Sequence, residues 1–395
     1  MIDAAGCGRA SAPRMADIEG FRVMALLARA RALEAAGRDI VHMEIGEPDF
    51  PTPAPVVRAA QAALAAGRTH YTPAAGLPAL REAIAGWYRD RFGVAVAPER
   101  VLVTPGASGA LHLVLAVLAG PGDRVLLPEP GYPCNRHLVR LLEACAVGVD
   151  AEGGGPAPEI VGAAARGGAA ALLVASPANP TGAVLPRARL AALAAEARRA
   201  GACLVCDEIY QGLAYETEAC TVLEVAPGAF VVNSFSKYFG MTGWRLGWIV
   251  APPAWLEPLE RLAQNLYLAA PTLSQHAALA AFTPEALDEL ERRREAFRAR
   301  RDYLAPALES LGFRLAAPPE GAFYLYADCS AFTDDAEAFA ARLLEEAGVA
   351  VTPGADFGGA HAGRRLRFAY TAPIERLREG VERLRSFLGR PRRTG

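Results

Sequence analysis

The stretch FVVNSFSKYFGMTGWRLGWIVAP, residues 230–252, sets two short apolar runs on either side of a turn rich in small and hydroxylic residues. FVVNS and LGWIVAP have the length and continuous apolar character of buried strands. Between them stands Lys237, the one lysine of a 395-residue chain whose 41 basic residues are otherwise all arginine. Arginine fills every ordinary surface position for a cation, so the amine at 237 is kept for something a guanidinium cannot do. A guanidinium stays protonated at physiological pH, whereas a primary amine can lose its proton and condense with an aldehyde. The hydroxyls of Ser234, Ser236 and Thr242, together with Arg245, suit a phosphate group.

Similar apolar runs recur at RVLLP (124–128), AALLVAS (170–176) and CLVCD (203–207), with helical segments between several of them, notably 186–200. Strands of this kind separated by helices predict an α/β fold, a mostly parallel sheet with helices on both faces. Ligands of such sheets bind at the carboxyl ends of the strands. Thr52 followed by Pro53 reads as an N-cap with proline at N1, opening a helix that stops at Gly67. Pro78 opens a second helix, with Leu77, Leu80, Ile84, Trp87 and Tyr88 on one face and Gly93 closing it. A third is expected from Ser108 to Ala119.

Beyond residue 283 the pattern changes to a long helical stretch (284–312), the strand-like pieces FYLYAD and RLRFAY, and a last helix at 374–388. This predicts a smaller α+β domain, with the amphipathic segment 18–37 packing against it. The expected division is a flexible start (1–13), an N-terminal arm (14–45), a large domain (46–283), a small domain (284–390) and a tail (391–395).

A net charge of −2 and a pI near 6.4 give no footprint for nucleic acid. The basic runs ERRREAFRARR (291–301) and GRPRRTG (389–395) read as a solvated helix face and a loose tail. No apolar run approaches the ~20 residues of a membrane span, and no signal-peptide pattern opens the chain, so a cytoplasmic enzyme is expected. Seven cysteines, an odd number, suggest no disulfide framework. Cys203 and Cys206 form a CxxC, but on a strand they point to opposite faces and cannot share a metal. The six histidines lack ligand spacing, so no metal is expected. GGGPAP (153–158) has no strand-to-helix context and reads as a loop.

The run SFSKYFGMTGWRLG (234–247) resembles the lysine signature of class I/II aminotransferases, enzymes of fold type I that use pyridoxal 5′-phosphate (PLP). The resemblance extends from FRVMALLARA to RLRFAY, with the family's motifs in order. It implies that Lys237 carries the cofactor and shuttles a proton. GEPDFPTP (46–53) resembles a substrate-binding turn in which the backbone of Gly46 faces the substrate carboxylate. In HYTPAAGLPALREAIA (70–85), Tyr71 would reach the cofactor phosphate of a partner subunit, which implies a homodimer with shared sites. VTPGASGAL (103–111) would hold the phosphate at a helix N-terminus, Ala107 and Ser108 closest. Ser234, Ser236 and Arg245 would join them. EPGYP (129–133) places Tyr132 to stack on the cofactor, and SPANPTG (176–182) places Asn179 near its ring oxygen. DEIY (207–210) ends a strand: Asp207 would keep the pyridine nitrogen protonated and Tyr210 would donate to the phenolic oxygen. RLRFAY implies a carboxylate-gripping arginine, with Arg367 favoured over Arg365.

These parts imply transamination between an α-amino acid and a 2-oxo acid by ping-pong steps, with glutamate and 2-oxoglutarate expected on family grounds. A carbon–sulfur β-lyase or other α-carbanion reaction on the same scaffold is the alternative. Aminotransferase-like regulators carry a DNA-binding module in front, and about 17 residues before the first helix are too few for one. No G-x-G-x-x-G follows an early strand, which speaks against a dinucleotide enzyme. The segment RLAQNLYLAAPTLSQ (261–275) is expected to border the site through Asn265 or Tyr267. It holds no obvious second substrate arginine, which favours neutral or aromatic side chains.

Overall fold

The structure is a computed structural model that describes residues 11–216 and 220–389. The expected flexible start and basic tail fall mostly outside these residues. The described chain enters through helix α1 (Arg22–Ala35) and the short strand β1 (Val41–His42). A seven-stranded sheet follows, built from β2 (Val101–Thr104), β3 (Arg124–Glu129), β4 (Cys145–Asp150), β5 (Ala171–Ala175), β6 (Cys203–Asp207), β7 (Phe230–Ser234) and β8 (Gly247–Val250). Their order is β2-β8-β7-β6-β5-β3-β4, and only β8 runs against the rest. The mostly parallel sheet expected from the apolar runs is therefore present. β4 left no such run because it is an edge strand whose residues, Val149 apart, are exposed or half-buried.

Both faces of this sheet are covered. Leu126, Leu172, Val174, Leu204 and Val231 join one apolar layer, while Val125, Leu127, Leu173, Val205, Val232 and Ile249 join the other. Cys206 belongs to the first layer and Cys203 packs against the second, so the two thiols do lie on opposite faces. On the first face the helix Pro78–Phe92 buries Leu80, Ile84, Trp87 and Tyr88, and Gly93 ends it at φ +67°, where glycine costs least. Trp87, Phe235, Phe239 and Trp248 meet there ring to ring at centroid distances of 4.9–6.2 Å. Such pairs add about 0.5–1.5 kcal/mol each beyond their area burial. This packing anchors the turn that carries Lys237.

Thr52 is not the cap expected of it. The helix Ala54–Ala65 is preceded by Pro53, and no side chain caps it. Trp244 Nε1 instead donates to Thr52 Oγ1 at 2.8 Å, tying the turn after residue 46 to the turn after Lys237. Proline's fixed φ starts the helix without a side-chain cap.

A second, four-stranded sheet has the order β12-β13-β10-β9, formed by β9 (Arg314–Leu315), β10 (Tyr324–Asp328), β12 (Thr352–Pro353) and β13 (Arg365–Ala369). Its register sets Arg367 opposite both Tyr326 and Thr352. Strand β11 (Val349–Ala350) pairs with β1 in parallel. Helix α1 lies on this part of the molecule: Asp356 accepts from the amides of Arg22 and Val23, while Ala30 and Leu33 bury against Leu344 and Ala350. The 27-residue helix Pro284–Ser310 supplies Arg293 and Arg300, whose guanidinium carbons lie 5.2 and 5.0 Å from the Phe50 ring centroid. Arg300 also grips Asp49 through both carboxylate oxygens, at 2.8 and 2.9 Å. The GEPDFP turn is thereby pinned beside the sheet's carboxyl edge.

Candidate active site

The carboxyl ends of β2, β5, β6 and β7 converge on a cleft of about 430 Å³ lined by Gly46, Ala107, Ser108, Tyr132, Asn179, Asp207, Tyr210, Ser236, Lys237, Arg245 and Arg367. Residues spread over more than three hundred positions of sequence thus share one concavity. The hairpin between β7 and β8 projects Lys237 into it, and Nζ donates to the Gly46 carbonyl at 2.6 Å. Burial, and secondarily Arg367 and Arg245, pull the amine down to about 8, against the opposing pull of Glu47 and Asp207. An amine with that affinity for protons can be both a nucleophile and a base near neutral pH.

Asp207 ends β6 and is nearly fully buried, with Oδ1 accepting from Ile209 N at 3.0 Å. Burial raises its carboxyl to about 6, offset in part by the Ile209 amide and Lys237. No cation forms an ion pair with it among the described residues, so a cationic or protonated ligand would relieve a buried charge. Tyr210 hydrogen-bonds the hydroxyl of Tyr324 at 2.8 Å.

The helix Gly106–Leu118 begins directly after β2, so its free amides and positive dipole end face the cleft. A Cβ on Gly106 would meet Arg245 Nη2 at 2.6 Å, and one on Gly247 would meet Gly106 C at 2.7 Å and Ala107 N at 2.9 Å. Gly247 is needed for this backbone approach, and Gly106 for its left-handed φ of +73°. Arg245 itself takes a left-handed conformation and donates to Thr242 O at 2.8 Å. Amides, hydroxyls and one arginine make a cradle suited to a phosphate.

Arg367 is the arginine the strand directs into the cleft. Nη2 donates to Glu44 O at 2.5 Å, Nη1 to Asn179 Oδ1 at 3.0 Å, and Nε has no partner. The Tyr324 and Phe357 rings flank it, 4.4 and 4.9 Å from the guanidinium carbon. A planar fork held this way, with a donor left over, suits a carboxylate. Arg365, one turn of the pleat away, pairs instead with Asp328 and Glu152. Tyr324, Phe357 and Glu47 were missed in the sequence, although the period-two pattern of FYLYAD does place Tyr324 and Tyr326 on one face of their strand.

Ser234 does not line the cleft. It is buried behind Ser236, within 2.9 Å of that hydroxyl, and so holds the hydroxyl that does. Being the last residue of β7, it sits inside the sheet edge, while Ser236 lies on the turn. Tyr71 does not line the cleft of its own chain either and is 82 % exposed. Asn265 and Tyr267 also stand outside: Asn265 is exposed on its helix, and Tyr267 packs against the core layer beneath.

A family model described as aminotransferase class I and II matches residues 38–384. The valine–pyruvate aminotransferase of Mycobacterium tuberculosis is 38 % identical over 384 residues, covering 94 % of this chain and 97 % of its own. The aspartate/prephenate aminotransferase of Thermus thermophilus is 40 % identical over 373 residues, covering 93 % and 96 %. The crystal structure of an aminotransferase from M. tuberculosis superposes with a TM-score of 0.92 at 38 % identity, covering 96 % of this chain and 99 % of that one. The chain therefore belongs to the class I and II aminotransferases and is an enzyme that transfers amino groups.

Proposed function

We propose that the enzyme uses pyridoxal 5′-phosphate to move an amino group between an α-amino acid with an uncharged side chain and a 2-oxo acid. One observation carries the reading: the only lysine of the chain meets the buried Asp207 and the half-committed Arg367 in one cleft. The donor set fits the cofactor. Ala107, Ser108, Ser236 and Arg245 would hold its phosphate, Tyr132 its ring face, Asp207 its ring nitrogen, and Asn179 with Tyr210 its phenolic oxygen. Lys237 would hold its aldehyde carbon. When bound, the cofactor withdraws electrons from the substrate Cα.

This chain's own residues do the rest. Arg367, with Asn179 and the Gly46 backbone, binds the substrate carboxylate and so turns the Cα–H bond towards Lys237. Lys237 Nζ takes that proton and returns it, which its lowered affinity for protons allows. Asp207, ionised, holds a proton on the group it faces. The amino group changes hands in two half-reactions, which gives ping-pong kinetics.

The side-chain preference follows from the walls. Phe21, Val23, Met24 and Leu27 line one side of the cleft, and among the described residues its only arginines are Arg245 and Arg367, both already assigned. Glu47, also lining it, would repel an acidic side chain. Tyr71, Leu266 and Leu268 are exposed on neighbouring segments, joined where Thr272 Oγ1 donates to His70 O at 2.8 Å. This surface supports a homodimer in which Tyr71 completes the partner's phosphate site. The reading also divides the chain into a large domain (46–283) and a small one (284–390), with the arm 14–45 lying on the latter.

The test is the visible spectrum of the cofactor-loaded enzyme titrated with single amino acids and no oxo acid. Bleaching of the band by apolar amino acids, with about one equivalent of 2-oxo acid released per site, is expected. Pyruvate and ammonia from cysteine derivatives, with no bleaching by other amino acids, would establish the lyase instead.

A further inference from the structure

The sequence HMEIG, residues 42–46, holds an ion pair between the half-buried His42 and the buried Glu44 that the proposed chemistry does not use. His42 Nδ1 lies 2.7 Å from Glu44 Oε1, and Nε2 lies 3.1 Å from Glu34 Oε1 on α1. With both glutamates ionised their oxygens only accept, so both ring nitrogens carry hydrogen and the imidazole is cationic. Its pKa is accordingly raised to about 9, chiefly by the hydrogen bond to Glu44. Glu44 is wholly buried, and its second oxygen has no partner. A carboxylate in that position is tolerated only with its cation beside it. The nearby Arg376 and Arg383 are occupied with Asp39 and do not meet the pair.

The same five residues present two carbonyls to the active site. Glu44 O accepts from Arg367 Nη2 at 2.5 Å, and Gly46 O accepts from Lys237 Nζ at 2.6 Å. Backbone pairing holds this strip only as far as Met43, whose amide donates to Ala350 O at 2.9 Å and whose carbonyl accepts from Ala369 N at 2.6 Å. The β1–β11 register ends at His42, and from Glu44 onward the carbonyls are met by the side chains of Thr352, Thr371, Arg367 and Lys237. Glu44 is thus the residue whose side chain is nailed down on one side while its carbonyl orients an arginine on the other. Glu34 extends the connection to α1, whose opposite end brings Val23, Met24 and Leu27 to the cleft.

We propose that the His42–Glu44 pair, anchored to α1 through Glu34, is a positioning element of the substrate-carboxylate site. It fixes the Glu44 carbonyl and thereby the orientation of Arg367. The proposal rests on the reading of Arg367 as the carboxylate-binding group. It predicts that the pair governs substrate affinity, not the rate of the proton transfer itself, because Arg367 acts in binding and Lys237 keeps its own burial.

The test compares cofactor-loaded wild type, His42→Gln, His42→Arg and Glu34→Gln. Butyrate, an unreactive monocarboxylate, is titrated by calorimetry, and kcat and KM are measured with the best amino donor. His42→Gln should raise the butyrate Kd and the donor KM together, by about tenfold, with kcat within about twofold. His42→Arg restores a two-donor cation between the two carboxylates and should return both constants to within about threefold of wild type. A folded His42→Gln that binds butyrate like wild type, or that loses kcat alone, overturns the proposal. Should His42→Gln not fold, the solvent-facing Glu34→Gln decides: a rise of about two- to threefold in Kd supports the coupling, and an unchanged Kd overturns it. Wild type failing to bind butyrate at all would overturn the reading of Arg367, and this proposal with it.

Discussion

Replacing Gly46 by alanine adds one methyl group at the most crowded point of the cleft. An ideal Cβ there would stand 2.1 Å from the Tyr324 hydroxyl, 3.1 Å from its ring carbon Cζ and 3.4 Å from Cε1. Tyr324 cannot swing aside, since it is buried, hydrogen-bonded to Tyr210 and stacked on Arg367. To reach ordinary contact, roughly 1.3 Å of movement must be shared between the 44–46 strip and the phenol. Overpacking of this kind costs about 1–3 kcal/mol of stability, and a displacement of about 1 Å at a reacting group costs around a hundredfold in rate. We expect Gly46→Ala to lose about a hundredfold in kcat/KM. Because the Gly46 carbonyl holds Lys237 and the Tyr324 ring flanks Arg367, both kcat and KM should suffer. Tyr324→Phe removes the clashing oxygen and leaves the closest atom at 3.1 Å, so in the Gly46→Ala background it should recover about tenfold of the loss. Steady-state kinetics of the four proteins in a double-mutant cycle is the assay. Strict additivity of the two substitutions, or a Gly46→Ala enzyme with wild-type kinetics, would refute this account of the contact.

Asp207→Asn should abolish transamination yet stabilise the cofactor-free chain at neutral pH. The carboxyl is raised from 3.8 to about 6, so the folded state binds the extra proton, and Asp207's contribution to stability falls as pH rises between those values. Removing it should add up to about 3 kcal/mol at pH 7 and little below pH 4, read by urea unfolding; equal stability of the two proteins at both pH values would contradict the burial argument. Lys237, lowered to about 8 by burial, should acylate in the cofactor-free enzyme with a midpoint near pH 8, and peptide mass mapping separates it from the α-amino group. A midpoint near 10 would mean the amine is solvated. Co-expressed Lys237→Ala and Tyr71→Ala subunits should regain up to about a quarter of wild-type activity in mixed dimers, each with one intact site; no recovery would count against the shared site.

How much of this was legible in the sequence depends on distance along the chain. Strands buried on both faces leave continuous apolar runs, so the parallel strands β3, β5, β6 and β7 and the antiparallel β8 between two neighbours could be read directly. The half-exposed edge strand β4 could not. Lys237 stood out because an amine does what a guanidinium cannot, whereas Asp207 and Asn179, which the fold brings to the same cleft, could be picked out only through the resemblance of their motifs. Tyr324 and Phe357 were not readable, because an aromatic residue on an apolar strand or in a loop looks like core until the fold sets it against Arg367. Ser234 marks the limit of motif reading: sequence proximity to Ser236 does not say which of two hydroxyls faces the cleft. The same limit hid His42 and Glu44, whose partner Glu34 comes from another element.

The hairpin between β7 and β8 has a consequence for the order in which the cleft comes together. Ser234 meets the Leu246 carbonyl across only 12 positions, whereas Arg367 meets Glu44 across 323. Loop closure costs about 0.6 kcal/mol per doubling of length, so the second contact carries about 3 kcal/mol more chain entropy than the first. The turn that presents Lys237, Ser236 and Arg245 is thus a local structure, available as soon as its two strands pair. The carboxylate grip waits for the last part of the chain to return to the first. During synthesis on the ribosome, the part of the cleft around Lys237, proposed to hold the cofactor, can therefore form while the part around Arg367, proposed to bind the substrate carboxylate, has yet to be made.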